Sequence, residues 1–518
     1  MRKTERLTIF PWNKGVDKTS IPGTQDRASL VSCKNILLKN NGARAKGPGI
    51  TRLEYQAGIS DFLRGMIDFH GTVGQGQFQE IIRVVNGRVE ALRGNDFIDL
   101  SLAVSASDKI SFARFVNALI IFFDNTRPQV YTVGGTLSNL AIPSSHVASP
   151  PRFGVVHDQR LVYAGRRNNP HILTLSAINS YIDYTLLGGA MSIRVRDGDG
   201  DPIGITGLSS TFRGDMFVFK YRSTYRLYNA GVTYGIDLVT DQVGCINHNT
   251  IVATQNDVFW VSDRAIHSMK MTANYGAAEE ATVTYPIYEF FQDDINWAVS
   301  KYMWATYDIY SNSYLLCYAS GGSPVNNKIL GFNTLTKEFF FWEDRDFACV
   351  GQYLDENQKT RTLVGLNDGS LGYFDNAVNT QFSLPVDMEF TSSLIFPKGP
   401  SGYVNFTKAK LMVKPTTANV YASFLYRING TDVETLTVNT YGSGSGNQIG
   451  SGAIGSTSII GPHEDIKIID LPLKGSGASF QVKMTQEPDA HDADEPCEIY
   501  GLEIEFDYQE DTGKEVQI

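Results

Sequence analysis

Between residues 79 and 374 the chain alternates polar turns with short, nearly continuous apolar runs. The runs read QEIIRVVNGRVEAL, VNALIIFFDNTRPQVYTV, DQRLVYAGRRNNPHILTL, GDMFVFKYRSTYRLYNA, NDVFWVSDRAIHSMKM, NSYLLCYASGGSPVNNKILGF and TRTLVGLNDGSLGYF. Each predicts strand, turn, strand. Asn86-Gly87 and Asp368-Gly369 are strong hairpin signals, because a two-residue turn that follows strand twist needs positive φ. Early apolar positions of the seven hairpins are Ile81, Leu119, Leu161, Phe217, Phe259, Leu315 and Leu363, spaced 38, 42, 56, 42, 56 and 48 residues apart. That is near the period of a four-stranded propeller blade. Runs such as LIIFF and YLLCY lack polar alternation, as strands buried on both faces do. The expectation is an all-β chain with a large β-propeller of about seven blades (six to eight). A series of β-sandwiches is the alternative.

The pattern changes near residue 385. VDMEFTSSLIF, KAKLMVKP, ANVYASFLYRI, IKIIDLPL, ASFQVKM and IYGLEIEFDY read as longer alternating strands, enough for a C-terminal β-sandwich. They flank NTYGSGSGNQIGSGAIGST (439–457), whose Gly/Ser content leaves little to bury. The expected division is an N-terminal arm closing onto the propeller (1–60), the propeller (61–385), the sandwich (386–510) and a charged tail (511–518). One amphipathic helix is expected over 286–297, with Ile287, Phe290, Phe291 and Ile295 on one face.

Composition agrees with an all-β core: 25 Tyr and 29 Phe against 5 Trp, with 48 Gly. A net charge of −10 argues against tight nucleic-acid binding, which calls for a basic face. Ordinary solubility charge is the favoured explanation of the acidic balance, and such a surface would also suit DNA that slides past. Five scattered cysteines include no metal-type spacing and read as buried thiols in a reducing compartment. The N-terminal residues carry no apolar run of signal-peptide length, and no stretch reaches membrane-span length.

Candidate chemistry is sparse. In RDGDGDPIG, Asp197, Asp199 and Asp201 match the first three ligand positions of a calcium loop. Pro202 and Leu208 stand where that loop needs Gly and Glu. A tight turn is the favoured reading and a cation site the alternative. NGARAKGPGI has Pro48 where a phosphate loop needs Lys, and reads as a basic turn. The carboxylate pairs Asp293/Asp294, Glu279/Glu280 and Asp492/Asp494 read as solvated turns and a helix face rather than a glycosidase pair. His157, His171, His248 and His267 fall inside the repeats and read as structural. No cofactor is expected.

Three stretches carry a resemblance: GTQDRASLVSCKNILLKNNGARAKGPGITRLE, RDGDGDPIGITGLSSTFRGDMFVFKYRSTYRLY and VGCINHNTIVATQNDVFWVSDRAIHSMKM. Together, over residues 23 to about 290, the chain resembles the tail hub or nozzle proteins of short-tailed bacteriophages, of the tail tubular protein B and packaged-DNA stabilisation types. The resemblance implies a non-enzymatic virion protein, made in the host cytoplasm. It implies a homo-oligomeric, hexameric ring that meets a tail adaptor and a tail fibre or spike. Double-stranded DNA would be retained, then passed without sequence-specific binding on host contact. Within that expectation 439–457, with Gly442, Gly444, Gly446 and Gly450, is a candidate gate or contact loop. A carbohydrate-binding propeller adhesin and a propeller glycosidase are the alternatives.

Overall fold

The computed structural model describes residues 2–21, 23–39, 42–54, 62–73, 76–94, 96–196, 201, 203–231, 233–271, 278–376, 378, 380–416, 419–441, 466–486 and 495–509. Two compact units emerge: one of residues 52–334 and 343–374, the other of residues 1–51, 335–342 and 375–518.

The propeller comprises seven four-stranded sheets. Blades 1 to 6 take their strands in chain order and begin at Leu63, Ile110, Phe153, Ile205, Val252 and Trp304. Blade 7 takes three strands from Phe347–Leu354, Thr360–Leu366 and Leu371–Asp375, and its fourth from Gly49–Glu54. The first strand of blade 7 lies against the first strand of blade 1, Leu63–Val73, so the ring closes.

The continuous apolar runs are the second strands. Ala118–Phe123, Arg160–Ala164, Met216–Lys220, Val258–Val261 and Ser313–Tyr318 are buried at every position. Side chains alternate between the two faces of a strand, so each run divides between two neighbours. Leu119, Ile121 and Phe123 pack with Ile82, Val84 and Val89 of blade 1. Ile120 and Phe122, on the other face, pack with Leu161 and Tyr163 of blade 3. Full burial of one such side chain contributes about 1.5–3 kcal/mol. The interblade layers are therefore the core.

The Asn86-Gly87 turn has φ of 44° and 74° between paired Val85 and Arg88, a two-residue hairpin as the dipeptide predicts. Asp368-Gly369 differs. Only Gly369 has positive φ (84°), and the loop is longer: Leu366 N donates to Ser370 O and Gly369 N to Leu366 O. The helix expected over 286–297 is broken into a 3₁₀ turn, Tyr285–Ile287, an α-helix, Tyr288–Asp294, and a second 3₁₀ stretch, Trp297–Tyr302. Of the expected apolar face Ile287, Phe291 and Ile295 are buried and Phe290 is half-buried.

In the other unit two sheets form the β-sandwich. One contains Ile36–Leu38, Arg44–Lys46, Glu498–Gln509, Val404–Val413 and Lys467–Pro472, joined by Arg2–Ile9 and Ser476–Gly477. The second runs Leu30–Lys34, Met388–Ser392, Phe480–Gln486, Tyr421–Ile428, Thr431–Asn439. Burial alternates along Phe480–Gln486, as in a sheet with one packed and one wet face. Phe406 and Phe480, from the two sheets, pack with ring centroids 5.1 Å apart. Among the described residues of 1–60, then, only Gly49–Glu54 joins a propeller sheet. The four earlier strands pair within the sandwich. Arg2–Ile9 runs antiparallel to Leu502–Gln509 along its whole length.

Candidate functional site

The sequence-predicted sites fall mostly outside the described residues. Asp197, Asp199 and Pro202 lie outside them, as do Gly442, Gly444, Gly446 and Gly450 and the pair Asp492/Asp494. Asp201 is described and buried. Its Oδ1 accepts the N–H of Ile203 at 3.1 Å and its Oδ2 that of Arg222 at 2.9 Å. A carboxylate that takes backbone N–H groups two residues on is a turn-former. Among the described residues no cluster of three His, Cys, Asp or Glu side chains is placed to hold a metal. At the foot of the candidate gate loop, Lys467 Nζ donates to Asn439 O at 3.0 Å and Tyr441 O at 2.5 Å.

NGARAKGPGI is not a surface turn. Arg44–Lys46 is a buried strand. Arg44 donates to Lys14 O at 2.7 Å and lies over the Trp12 and Phe390 rings at 4.7 and 5.2 Å. Burial lowers its pKa to about 9. Asp294 sits at the end of its helix and accepts the Tyr318 hydroxyl at 2.7 Å. Glu279 and Glu280 lie in the last strand of blade 5, Ala278–Thr282.

One concavity among the described residues lies on the propeller axis. A cavity of about 330 Å³ is lined from every blade, by Met66, Phe112, Val155, Leu208, Ile251, Trp304 and Val350 among others. Each stands in or beside an innermost strand. Such strands present alternate side chains to the axis, and these positions are apolar.

The connection between blades 4 and 5 fills part of this space. Its 3₁₀ turn His248–Thr250 begins at Asn247, whose Oδ1 accepts the Asn249 N–H in the manner of a helix cap. Asn247 Nδ2 lies 3.0–3.1 Å from the carbonyls of Ser300, Lys301 and Met303, just before blade 6. Asn249 Nδ2 donates to Ile110 O of blade 2 at 2.7 Å. Blades 2 and 6 are not neighbours, so the turn spans the axis. Gly207 permits the approach: a Cβ there would meet Ile251 Cδ1 at 2.4 Å. His248 Nδ1 accepts the Leu208 N–H at 3.2 Å, and the ring stacks on Phe153 at 5.0 Å. Burial, with the nearby Lys109 charge, lowers the His248 pKa to about 3, so the imidazole is neutral. Its acceptor nitrogen then carries no proton.

Polar groups in the cavity wall are few: Arg114, Ser210, His248, Asn249 and Gln352. No carboxylate or thiol is among the lining residues. Arg114 is exposed to the cavity and donates to the main-chain carbonyl of Asp68 on blade 1. Burial lowers its pKa, opposed by the Asp68 charge. Asp68 faces other partners: its Oδ2 meets His70 Nε2 at 2.8 Å, Gln79 Nε2 at 3.0 Å and the Leu354 N–H at 2.9 Å. The site can therefore orient a guest by one cation, amides and a hydroxyl, against apolar and aromatic walls. Sequence reading missed it, because SFARF and MWATY show nothing special until the ring brings Arg114 and Trp304 to one axis.

The remaining candidates stay structural. His157 and His267 are buried and bonded to Thr211 Oγ1 at 2.8 Å and Ser262 Oγ at 2.9 Å. None of the five cysteines is in a disulfide; four are buried and Cys33 is half-buried. Trp12, Trp260 and Trp342 are fully buried.

No family model and no curated protein matches the chain. Solved structures with a similar fold include the extracellular domain of a hybrid two-component system from B. thetaiotaomicron, at 9% identity and TM-score 0.41. That match covers 70% of this chain and 42% of the other, so the chain spans about two fifths of that relative's length. YCF48 from Cyanidioschyzon merolae matches at 9% identity and TM-score 0.39, covering 63% and 98%. The WD40 β-propeller domain of Doa1 matches at 9% identity and TM-score 0.39, covering 61% and 94%.

Proposed function

We propose that this protein is a structural component of a short-tailed phage tail, a nozzle or hub that closes the DNA channel and retains the packaged genome. The proposal starts from the resemblance over residues 23 to about 290. The observation that carries it furthest is the propeller axis, lined from seven blades without one carboxylate. Hydrolysis of a glycoside calls for two placed acids, whereas a stiff wall element needs packing only. The axis is also crossed by the Asn247–Thr250 turn. DNA would therefore pass between copies of the chain, at the centre of a hexameric ring, and not through a propeller. The adaptor above, a fibre or spike beside, and sliding DNA within are the partners this reading implies. Locking of Arg2–Ile9 onto the C-terminal strand suits a part that resists pressure.

The test is to mix the purified chain with a portal–adaptor assembly from the same genome and image the product by electron microscopy. A ring of this chain at the distal end of the adaptor is expected. A chain that stays monomeric and unbound, while binding oligosaccharides on a glycan array, would replace the reading by an adhesin.

A further inference from the structure

The axial cavity holds a cation that the fold does not neutralise by direct pairing. Arg114 makes no ion pair among the described residues. Its hydrogen bond goes to a carbonyl oxygen, which leaves most of the five donors of a guanidinium for other partners. Around it stand the uncharged donors Ser210, Asn249 and Gln352 and the apolar surfaces of Met66, Phe112 and Trp304. Trp304 is fixed, with Nε1 donating to Arg64 O at 3.0 Å and its ring 6.1 Å from Phe112. At about 330 Å³ the space falls at the small end of ligand pockets, and is about twice the volume of an apolar cavity known to hold benzene.

The chemistry selects a class of guest. A cation would meet Arg114. A wholly apolar guest would strip water from the guanidinium and return no hydrogen bond, a costly exchange. A carboxylate matches the planar fork of Arg and gains a charge-assisted, two-pronged bond. Its body must be apolar to fit against Trp304 and Phe112. We propose that the axial cavity binds a small organic monocarboxylate, its anionic end on Arg114 and its apolar end against the wall formed by Trp304 and Phe112. This site is independent of any role in a tail, since it depends only on the propeller.

The experiment uses the full chain and two probes of equal shape, benzoate and benzamide, measured by titration calorimetry. Benzoate is expected to saturate one site, and benzamide to bind at least about tenfold more weakly, the margin of a charge-assisted bond. Arg114→Gln is expected to remove that preference, and Arg114→Lys, which keeps charge but loses the fork, to retain part of it. Equal affinity for the two probes, or no saturable benzoate binding, overturns the proposal, as does an Arg114→Gln chain that folds by circular dichroism and still prefers benzoate. If Arg114→Gln does not fold, the Arg114→Lys and probe comparisons still decide.

Discussion

Arg83 ties the first blade to the last, and its removal has a calculable effect. The side chain is fully buried. It meets Glu90 at 2.6 and 2.8 Å and donates to Gly369 O in the closing turn of blade 7 at 2.5 Å. The guanidinium also lies 3.2 Å from the Phe97 ring centroid. Arg83→Met preserves much of the volume but leaves the Glu90 carboxylate buried without its cation. Breaking one member of a buried pair costs about 3–5 kcal/mol. Replacing both members by apolar groups is often near neutral. Arg83→Met/Glu90→Leu should then recover much of the loss and leave about 1–3 kcal/mol for the orphaned Gly369 carbonyl. The assay is urea unfolding followed by near-ultraviolet circular dichroism, comparing midpoints at constant m. A single variant costing under about 1 kcal/mol, or a double variant as unstable as the sum of the singles, would refute this account of closure.

Two other outcomes follow from local geometry. The His248 pKa is lowered in the fold to about 3, so the unfolded chain binds that proton first. Stability should fall as pH drops from about 6.5 toward 3, by about 1.4 kcal/mol per unit for this residue. His248→Gln should flatten the slope in urea titrations at pH 7, 6 and 5, and equal slopes would count against a buried neutral ring. Gly87→Ala places a Cβ 2.1 Å from Val104 O at φ +74°, whereas Gly94→Ala, at φ +64°, meets nothing within 4 Å. Thermal unfolding should show Gly94→Ala costing about 1 kcal/mol from backbone strain alone and Gly87→Ala clearly more; equal losses would remove the clash from the explanation.

The parts of the fold legible in the sequence are those whose signal is local. Ile81, Leu119, Leu161, Phe217, Phe259, Leu315 and Leu363 all fall in second strands and are all buried, because a strand packed on both faces is mostly apolar. First strands such as Ile205–Leu208 are short, and outer ones such as Tyr234–Thr240 are half wet, so neither stands out from a turn. The last strand of blade 7 was illegible for another reason. Gly49–Glu54 completes a sheet begun at Phe347, and no window of sequence spans that distance. The same holds for Leu30–Lys34 beside Met388–Ser392. Arg44 was misread because lysine and arginine beside Gly and Pro usually mark surface; here two aromatic rings cover the cation. Arg114 and Trp304 become a site only through closure of the ring.

The pairing of Arg2–Ile9 with Leu502–Gln509 sets an order for biosynthesis. A ribosome releases the amino end first, yet that strand finds its partner only after some 500 residues have been made. Blades 1 to 6 are contiguous segments and can condense as they emerge. The sandwich waits until residue 509 has been made, and contacts so far apart in sequence form slowly. Until then the leading strands Leu30–Lys34 and Arg44–Lys46 have unmet edges, the state in which β proteins aggregate. Slowing translation should therefore prolong the vulnerable interval in proportion to the length of message still to be read.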